Sequence, residues 1–357
     1  MKKLNEQQLE ALANDLDAIR DETMADIGER DANHIRKMVR LHRTLEVGGR
    51  VMLPLGFIPP FFVAGAASLG AAKILENMEI GHNVMHGQYD WMNDPTLNSQ
   101  TYEWDTTCDA DSWRLTHNYE HHTYTNILGK DRDYGYDILR LEASEKWRPA
   151  HLFQLANYGL LSFFFQWGVA LHELEAKKLR QGKLSLKDKK EFGRSFIRKG
   201  GRQVFKDYVF YPAVTFPAAP IVIAGNFTAN MMRNLWSSTV IFCGHFTEDA
   251  QTFTEEECEG EGRGHWYLRQ LTGSSNFTGP RWMHILSGHL SHQVEHHVFP
   301  DIPAHRYPEI SEKVQAVCAK YDIPYNTGSF AKQYGTVLKR IASYSLPDRF
   351  NPDLRAA

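Results

Sequence analysis

His117-Asn118-Tyr119-Glu120-His121-His122 decides how this chain is read. It returns as His292-Gln293-Val294-Glu295-His296-His297 and is preceded by His82-Asn83-Val84-Met85-His86. Histidine is the commonest metal ligand near neutral pH, because a neutral imidazole offers a lone pair without a charge cost. On a helix, residues i and i+4 share a face, so each pair aims two imidazoles at one place. His122 and His297 add a third nitrogen to two of the clusters. With 17 histidines in 357 residues, a given window matches His-x-x-x-His-His with odds of roughly one in ten thousand. Two matches are not noise. The convergent imidazoles exceed what one four-coordinate zinc can use, so two metals on a helical scaffold is the economical reading.

Outward from the clusters, the composition excludes several classes. Net charge is −3, so nothing global points to nucleic acid. The four cysteines, Cys108, Cys243, Cys258 and Cys318, are scattered and form no Cys-x-x-Cys pair, which reads as reduced thiols. Met1 to Gly49 holds no apolar run, so no signal peptide is expected. A mean hydropathy of −0.45 confines membrane content to a few stretches. These are 51–80, interrupted by Pro59-Pro60; 152–171, with Leu160, Leu161, Phe163, Phe164, Phe165 and Trp167; the proline-rich 208–224; and 227–246, apolar except for Asn230, Arg233 and Asn234. Each approaches the length of a bilayer-crossing helix, although a large soluble core is the competing reading. An ionisable group such as Arg233 in an apolar stretch is expensive, and is either functional or snorkelling to the interface.

Charge and connectivity then suggest a topology. Glu175 to Lys206 carries a dense run of Lys and Arg, including Lys177, Lys190, Arg194, Arg198 and Arg202, and Ile35 to Arg50 is basic too. Basic excess marks the cytoplasmic side. If the clusters meet, they share that side. Segments 208–224 and 227–246 are then expected to form a crossing hairpin, and 152–171 to lie in the interface or re-enter. Segment 51–80 is either a hairpin kinked at Pro59-Pro60 or one span. Both ends read as soluble helices: Leu9, Leu12, Leu16 and Ile19 recur at helical spacing, and Pro308 to Lys320 and Phe330 to Ala342 follow the same pattern, the latter capped by Ser329. The expected fold class is all-α. It is one domain over 1–357: amphipathic helices in 1–50, an integral membrane helical bundle, and a cytoplasmic helical cap in 247–357 holding a histidine-rich dimetal site.

The chemistry of the clusters is narrower than their metal. Imidazole suits iron, zinc, copper and nickel alike. No Glu-x-x-His pair of the carboxylate-bridged di-iron bundles falls within a cluster. Glu120 and Glu295 precede ligands in both six-residue boxes, either orienting imidazoles or simply facing solvent. His245, at the end of the last apolar stretch, is the best ninth nitrogen, and His289 a weaker candidate. The remaining histidines have no partner spacing. There is no Gly-x-Ser-x-Gly elbow, no His-Glu-x-x-His zincin box and no Gly-x-Gly-x-x-Gly dinucleotide turn, so no cofactor-binding residues are assigned. No His-Pro-Gly-Gly segment signals a fused cytochrome. Electrons must come from a separate protein.

The three boxes and their order resemble the membrane-bound fatty acid desaturases, whose pattern is His-x(3–4)-His, His-x(2–3)-His-His and a third box beginning with His or Gln. The surrounding text is similar too, in Glu76-Asn77-Met78-Glu79-Ile80-Gly81 before His82 and in Val298-Phe299-Pro300 after His297. Gly201-Arg202-Gln203-Val204-Phe205-Lys206-Asp207-Tyr208 resembles the actinobacterial acyl-CoA desaturases of the stearoyl-CoA Δ9 type. The likeness runs from Ala18 to Arg349.

The resemblance implies a non-haem di-iron centre that uses dioxygen to remove hydrogen from two adjacent methylenes, with water as the other product. By position, His82, His86, His117, His121, His122, His292, His296 and His297 would be iron ligands, joined by His245. No separate acid or base is implied. The expected substrate is a long-chain acyl-CoA, with Δ9 favoured. His292 at the head of box three counts against Δ6 or Δ5 chemistry. An apolar tunnel would set the double-bond position, with Tyr102 to Trp113 a candidate lining. The electron donor would be an NAD(P)H-dependent ferredoxin, rubredoxin or flavin reductase type. The expected setting is a bacterial inner membrane, in contact with membrane lipid and with the site facing the cytoplasm. A hydroxylase on the same scaffold is the alternative enzyme, and a membrane zinc hydrolase the alternative of another class.

Overall fold

The computed structural model describes residues 4–351; 1–3, 352–357 and the Lys177 side chain lie outside the described residues. The main helices are α1 (Glu6–Ala25), α2 (Glu29–Met52), α3 (Pro59–Ile74), α4 (Gln154–Phe163), α5 (Phe165–His172), α6 (Lys190–Phe205), α7 (Ala219–His245), α8 (Arg263–Gly273), α9 (Gln293–Val298), α10 (Tyr307–Lys320) and α11 (Phe330–Ser345). One parallel strand pair, β1 (Asn276–Thr278) and β2 (Thr327–Ser329), sets Asn276 opposite Thr327. The protein is therefore mostly helical rather than wholly so. Three-residue strands are too short to leave a period in the sequence.

The chain forms two compact units, one of Met1–Asp31, Leu115–Leu160 and Thr239–Ala357, the other of Ala32–Arg114 and Leu161–Ser238. In the first, Asn5 caps α1 by accepting from the Gln8 backbone, while its own N–H donates to the Gln8 side chain. The buried face of α1, Leu9, Leu12, Leu16 and Ile19, packs with Tyr267 of α8, Val294 and Val298 of α9 and Ile310 and Val314 of α10. That apolar contact fixes the helix on which His296 and His297 stand. Ser329 accepts from the Lys332 backbone and starts α11.

In the second unit α2 turns back into α3, which begins at Pro59-Pro60, as suits residues with no N–H to leave unsatisfied. Gly49 allows the two backbones to touch, since a Cβ there would lie 2.9 Å from the Leu69 nitrogen. Asp207 ties the unit together, accepting from Lys73 Nζ at 2.8 Å, Arg50 at 2.9 Å and Asn230 at 3.1 Å. Buried charges persist only when paired this way. Arg233 is buried and donates to the Asn234 side chain at 3.1 Å, so it does not snorkel.

Among the described residues no helix is long and apolar enough to cross a membrane. The expected spans are reshaped. Stretch 152–171 divides into α4 and α5 at Phe164, whose backbone leaves the helical range. The hairpin expected from 208–224 and 227–246 does not form: α7 runs straight through the intended turn, because Gly225 and Asn226 are helical there. Its length would suffice, but Asn226, Asn230, Arg233 and Asn234, all buried, interrupt its apolar sequence.

Candidate metal centre

The first two boxes do not sit on regular α-helix. Leu75–His82 and Arg114–His121 are π-helical and pass into short α turns, a widening that recurs at functional sites. The i, i+4 imidazoles still meet, with ring centroids 4.6 Å apart for His82 and His86 and 5.0 Å for His117 and His121. In the first unit the Nε2 atoms of His121, His245 and His297 converge, at 3.3 Å from His121 to His245 and 3.1 Å from His245 to His297. His122, His296 and His297 form a second group and His117, His121 and Asp133 a third, with ligand atoms within 4.8 Å of one another in each. His122 stacks on His297 at 4.4 Å.

In His117, His121, His296 and His297 the other ring nitrogen has a hydrogen-bond partner, whereas His245 Nδ1 is buried without one among the described residues. His121 Nδ1 donates to both oxygens of Asp131 at 3.0 Å, and His117 Nδ1 to Asp133 at 3.0 Å. His297 Nδ1 donates to Gln270 at 3.0 Å. His296 Nδ1 reaches the Tyr307 hydroxyl at 3.4 Å, which in turn donates to the Phe299 carbonyl. A proton held at Nδ1 leaves the lone pair at Nε2. Burial and the neighbouring imidazoles push His297 well below the usual histidine range, keeping it neutral. Burial lowers His117 as well, against Asp133. At His121 burial acts the same way, yet Asp131 outweighs it and raises the ring.

A metal–nitrogen distance of about 2.0–2.1 Å separates adjacent donor nitrogens by roughly 3.0–3.4 Å. The His121–His245–His297 spacing fits a metal ion. Asp131 is itself anchored by the Asn126 backbone at 2.8 Å, in a turn where Asn126 takes positive φ. Buried Arg269 pins that loop through the Thr123 and Thr125 carbonyls.

Several residues stand elsewhere than the sequence suggests. His292 turns away from these groups, toward the His284 ring at 5.2 Å and the Ser291 hydroxyl at 3.1 Å, and burial lowers it to about 3. Gln293 stands beside the converging rings instead, its amide nitrogen 2.9 Å from His245 Nε2 and its Oε1 buried without a hydrogen-bond partner among the described residues. Glu120 pairs with Arg132 at 3.1 Å rather than orienting an imidazole. Glu295 is held by Asn276 and Tyr325, and burial pushes it up to about 7. The orienting carboxylates are Asp131 and Asp133, which no spacing rule singled out. In the second unit His82 and His86 each contact the Trp113 ring at 5.4 Å, and His82 Nδ1 meets the Asn83 amide oxygen at 3.0 Å.

Comparison with known proteins decides the family. The fatty acid desaturase model matches residues 58–329. The chain belongs to the fatty acid desaturase family. A relative from Mycobacterium tuberculosis, named NADPH-dependent stearoyl-CoA 9-desaturase, is 48% identical over 98% of this chain and 83% of its own. An sn-1 linoleoyl-lipid 6-desaturase from Synechocystis is 28% identical over 80% of this chain and 79% of its own. An acyl-lipid (8-3)-desaturase from Mortierella alpina is 26% identical over 60% of this chain and 49% of its own. This desaturase is thus an oxidoreductase, and its histidine groups stand on the segments that the family model covers.

Proposed function

We propose that this desaturase introduces a cis Δ9 double bond into a long-chain acyl-CoA at a di-iron centre, drawing electrons from a separate NAD(P)H-dependent protein. The observation that carries the reading is the convergence of His121, His245 and His297 in a chain 48% identical to a stearoyl-CoA 9-desaturase. We assign His117, His121, His122, His245, His296 and His297 of the first unit as ligands, with Gln293 in place of His292, and His82 and His86 of the second unit as a further metal-ligating pair. Bound iron would supply the activation of dioxygen needed to break unactivated C–H bonds. The chain's own part is to orient the imidazoles, through Asp131, Asp133, Gln270 and Tyr307, and to keep the surroundings dry.

Acyl-CoA suits a cleft of about 900 Å³ in the second unit. Arg36, Arg40 and Arg43 of α2 line one wall, and Lys199, Arg202 and Lys206 another. Guanidinium and ammonium groups are the natural partners of the CoA phosphates. Tyr102 and Trp104 line the same cleft, while Trp104, Cys108, Ala110 and Trp113 continue as an apolar cluster against Met85. The aromatic stretch therefore runs from the cleft to the first histidine pair, which suits a path for an acyl chain. Exposed Val47, Val51, Phe57, Val63, Val214 and Phe216 favour a setting at the membrane, with the site on the cytoplasmic side.

Gln293 favours a second reading. With glutamine at the head of the third box, the ground for disfavouring Δ6 chemistry on an acyl lipid falls away. One experiment separates the two: expression in a desaturase-deficient host with an NADPH reductase, followed by gas chromatography–mass spectrometry of derivatised fatty acids. A Δ9 monoene from acyl-CoA, absent with His121→Ala, is the expected result. A Δ6 product on lipid-linked chains selects the second reading, and hydroxy acids refute both.

A further inference from the structure

Along the outer face of α6, Lys190, Arg194, Arg198 and Arg202 recur every four residues and are all exposed. Arg198 and Arg202 make no side-chain hydrogen bond or ion pair among the described residues. Arg194 pairs only with exposed Glu191, a contact worth little in water. Beside this basic row stand Ile197, 74% exposed, and exposed Val204, while exposed Phe205 projects within the row at the helix end. The rotation of the helix is not adjustable. Its inner face is pinned by Lys199 to Glu103 at 2.6 Å, by Gln203 to Asp105 at 2.6 Å, and by Gly200, where a Cβ would lie 2.9 Å from the Trp167 ring. The apolar edge continues past the helix through exposed Val209, Phe210 and Val214 to Phe216, 80% exposed.

A helix with cations along one edge and large apolar side chains along the other, both turned outward, matches a surface that is anionic above and apolar below. Charge complementarity selects the occupant. We propose that α6 lies in the plane of the membrane as an anchor specific for anionic phospholipid, with Lys190, Arg194, Arg198 and Arg202 on the headgroups and Ile197 and Val204 in the lipid beneath. Arg202 also lines the cleft, so the anchor sets the mouth of the cleft at headgroup depth. The inference concerns lipid binding alone and stands whether or not the cleft takes acyl-CoA.

The test is hydrogen–deuterium exchange on the full chain in nanodiscs, of phosphatidylcholine alone or with a third of it replaced by phosphatidylglycerol. Peptides covering 190–205 should exchange more slowly in the anionic discs, on the order of fivefold. High salt should erase the difference. R194Q/R198Q, which leaves the cleft-lining Lys199, Arg202 and Lys206 in place, should also erase it while α1 peptides keep their native protection. Equal exchange of wild type in the two lipids overturns the proposal whatever the variant does. So does protection that persists in R194Q/R198Q. Protection produced in neutral discs by coenzyme A, and lost in the variant, would give the arginines to the substrate instead.

Discussion

Asp131 holds His121 with both carboxylate oxygens while its own position is set by the Asn126 backbone, so it orients one ring of the converging set. Asp131→Ala is expected to lower bound iron and turnover ~10- to 100-fold, and Asp131→Asn, which keeps an acceptor, should recover part of both. Full iron occupancy in Asp131→Ala, measured by metal analysis, would remove this role. The third box offers a sharper contrast. Gln293 lies at His245 and His292 lies at Ser291, so Gln293→Ala should abolish desaturation whereas His292→Ala retains much of it. The reverse order in a product assay would restore the ligand set expected from sequence. His-x-x-x-His-His and Gln-x-x-His-His overlap in this stretch, and only the direction of each side chain chooses between them.

At the scale of elements, the boxes were legible as helical but not as π-helical. The i, i+4 pattern survives the wider turn, so the histidine pairs meet either way and the sequence carries no mark of the difference. The close contact of α2 with α3 depends on Gly49 having no side chain. Gly49→Ala should cost about 1–3 kcal/mol, because the new methyl meets the Leu69 backbone rather than a side chain that can move. Gly159→Ala in α4, with open space at its Cβ, is the control, and should be neutral or stabilising by about 0.5–1 kcal/mol. Thermal melting in detergent compares them. Equal midpoints for the two variants would mean that the helices separate without cost.

Over the whole molecule, polar groups buried among helices couple stability to pH. At Asp105 burial opposes ionisation, yet Lys206 and Lys73, with hydrogen bonds from Lys206 and Gln203, outweigh it and hold the carboxyl at about 2. A depressed folded-state pKa means that its stabilisation is complete above the ordinary carboxylate range, near pH 4, and is lost as pH falls toward 2. The melting temperature of the wild type should therefore exceed that of Asp105→Asn at neutral pH, with the gap closing between about pH 4 and pH 2. A gap independent of pH would assign the loss to packing instead. The residue types and their spacing determined by themselves that this is a helical, histidine-box oxidoreductase of the desaturase family. Imidazole pairs at i, i+4 are a local geometry that a sequence writes out directly. Tertiary structure alone decided that Asp131 and Asp133 hold the His121 and His117 rings, that Gln293 rather than His292 lies beside His245, and that Asn226 sits inside one long helix rather than in a turn. Each of these depends on which distant group fills the space beside a side chain, and separation along the chain holds no record of that.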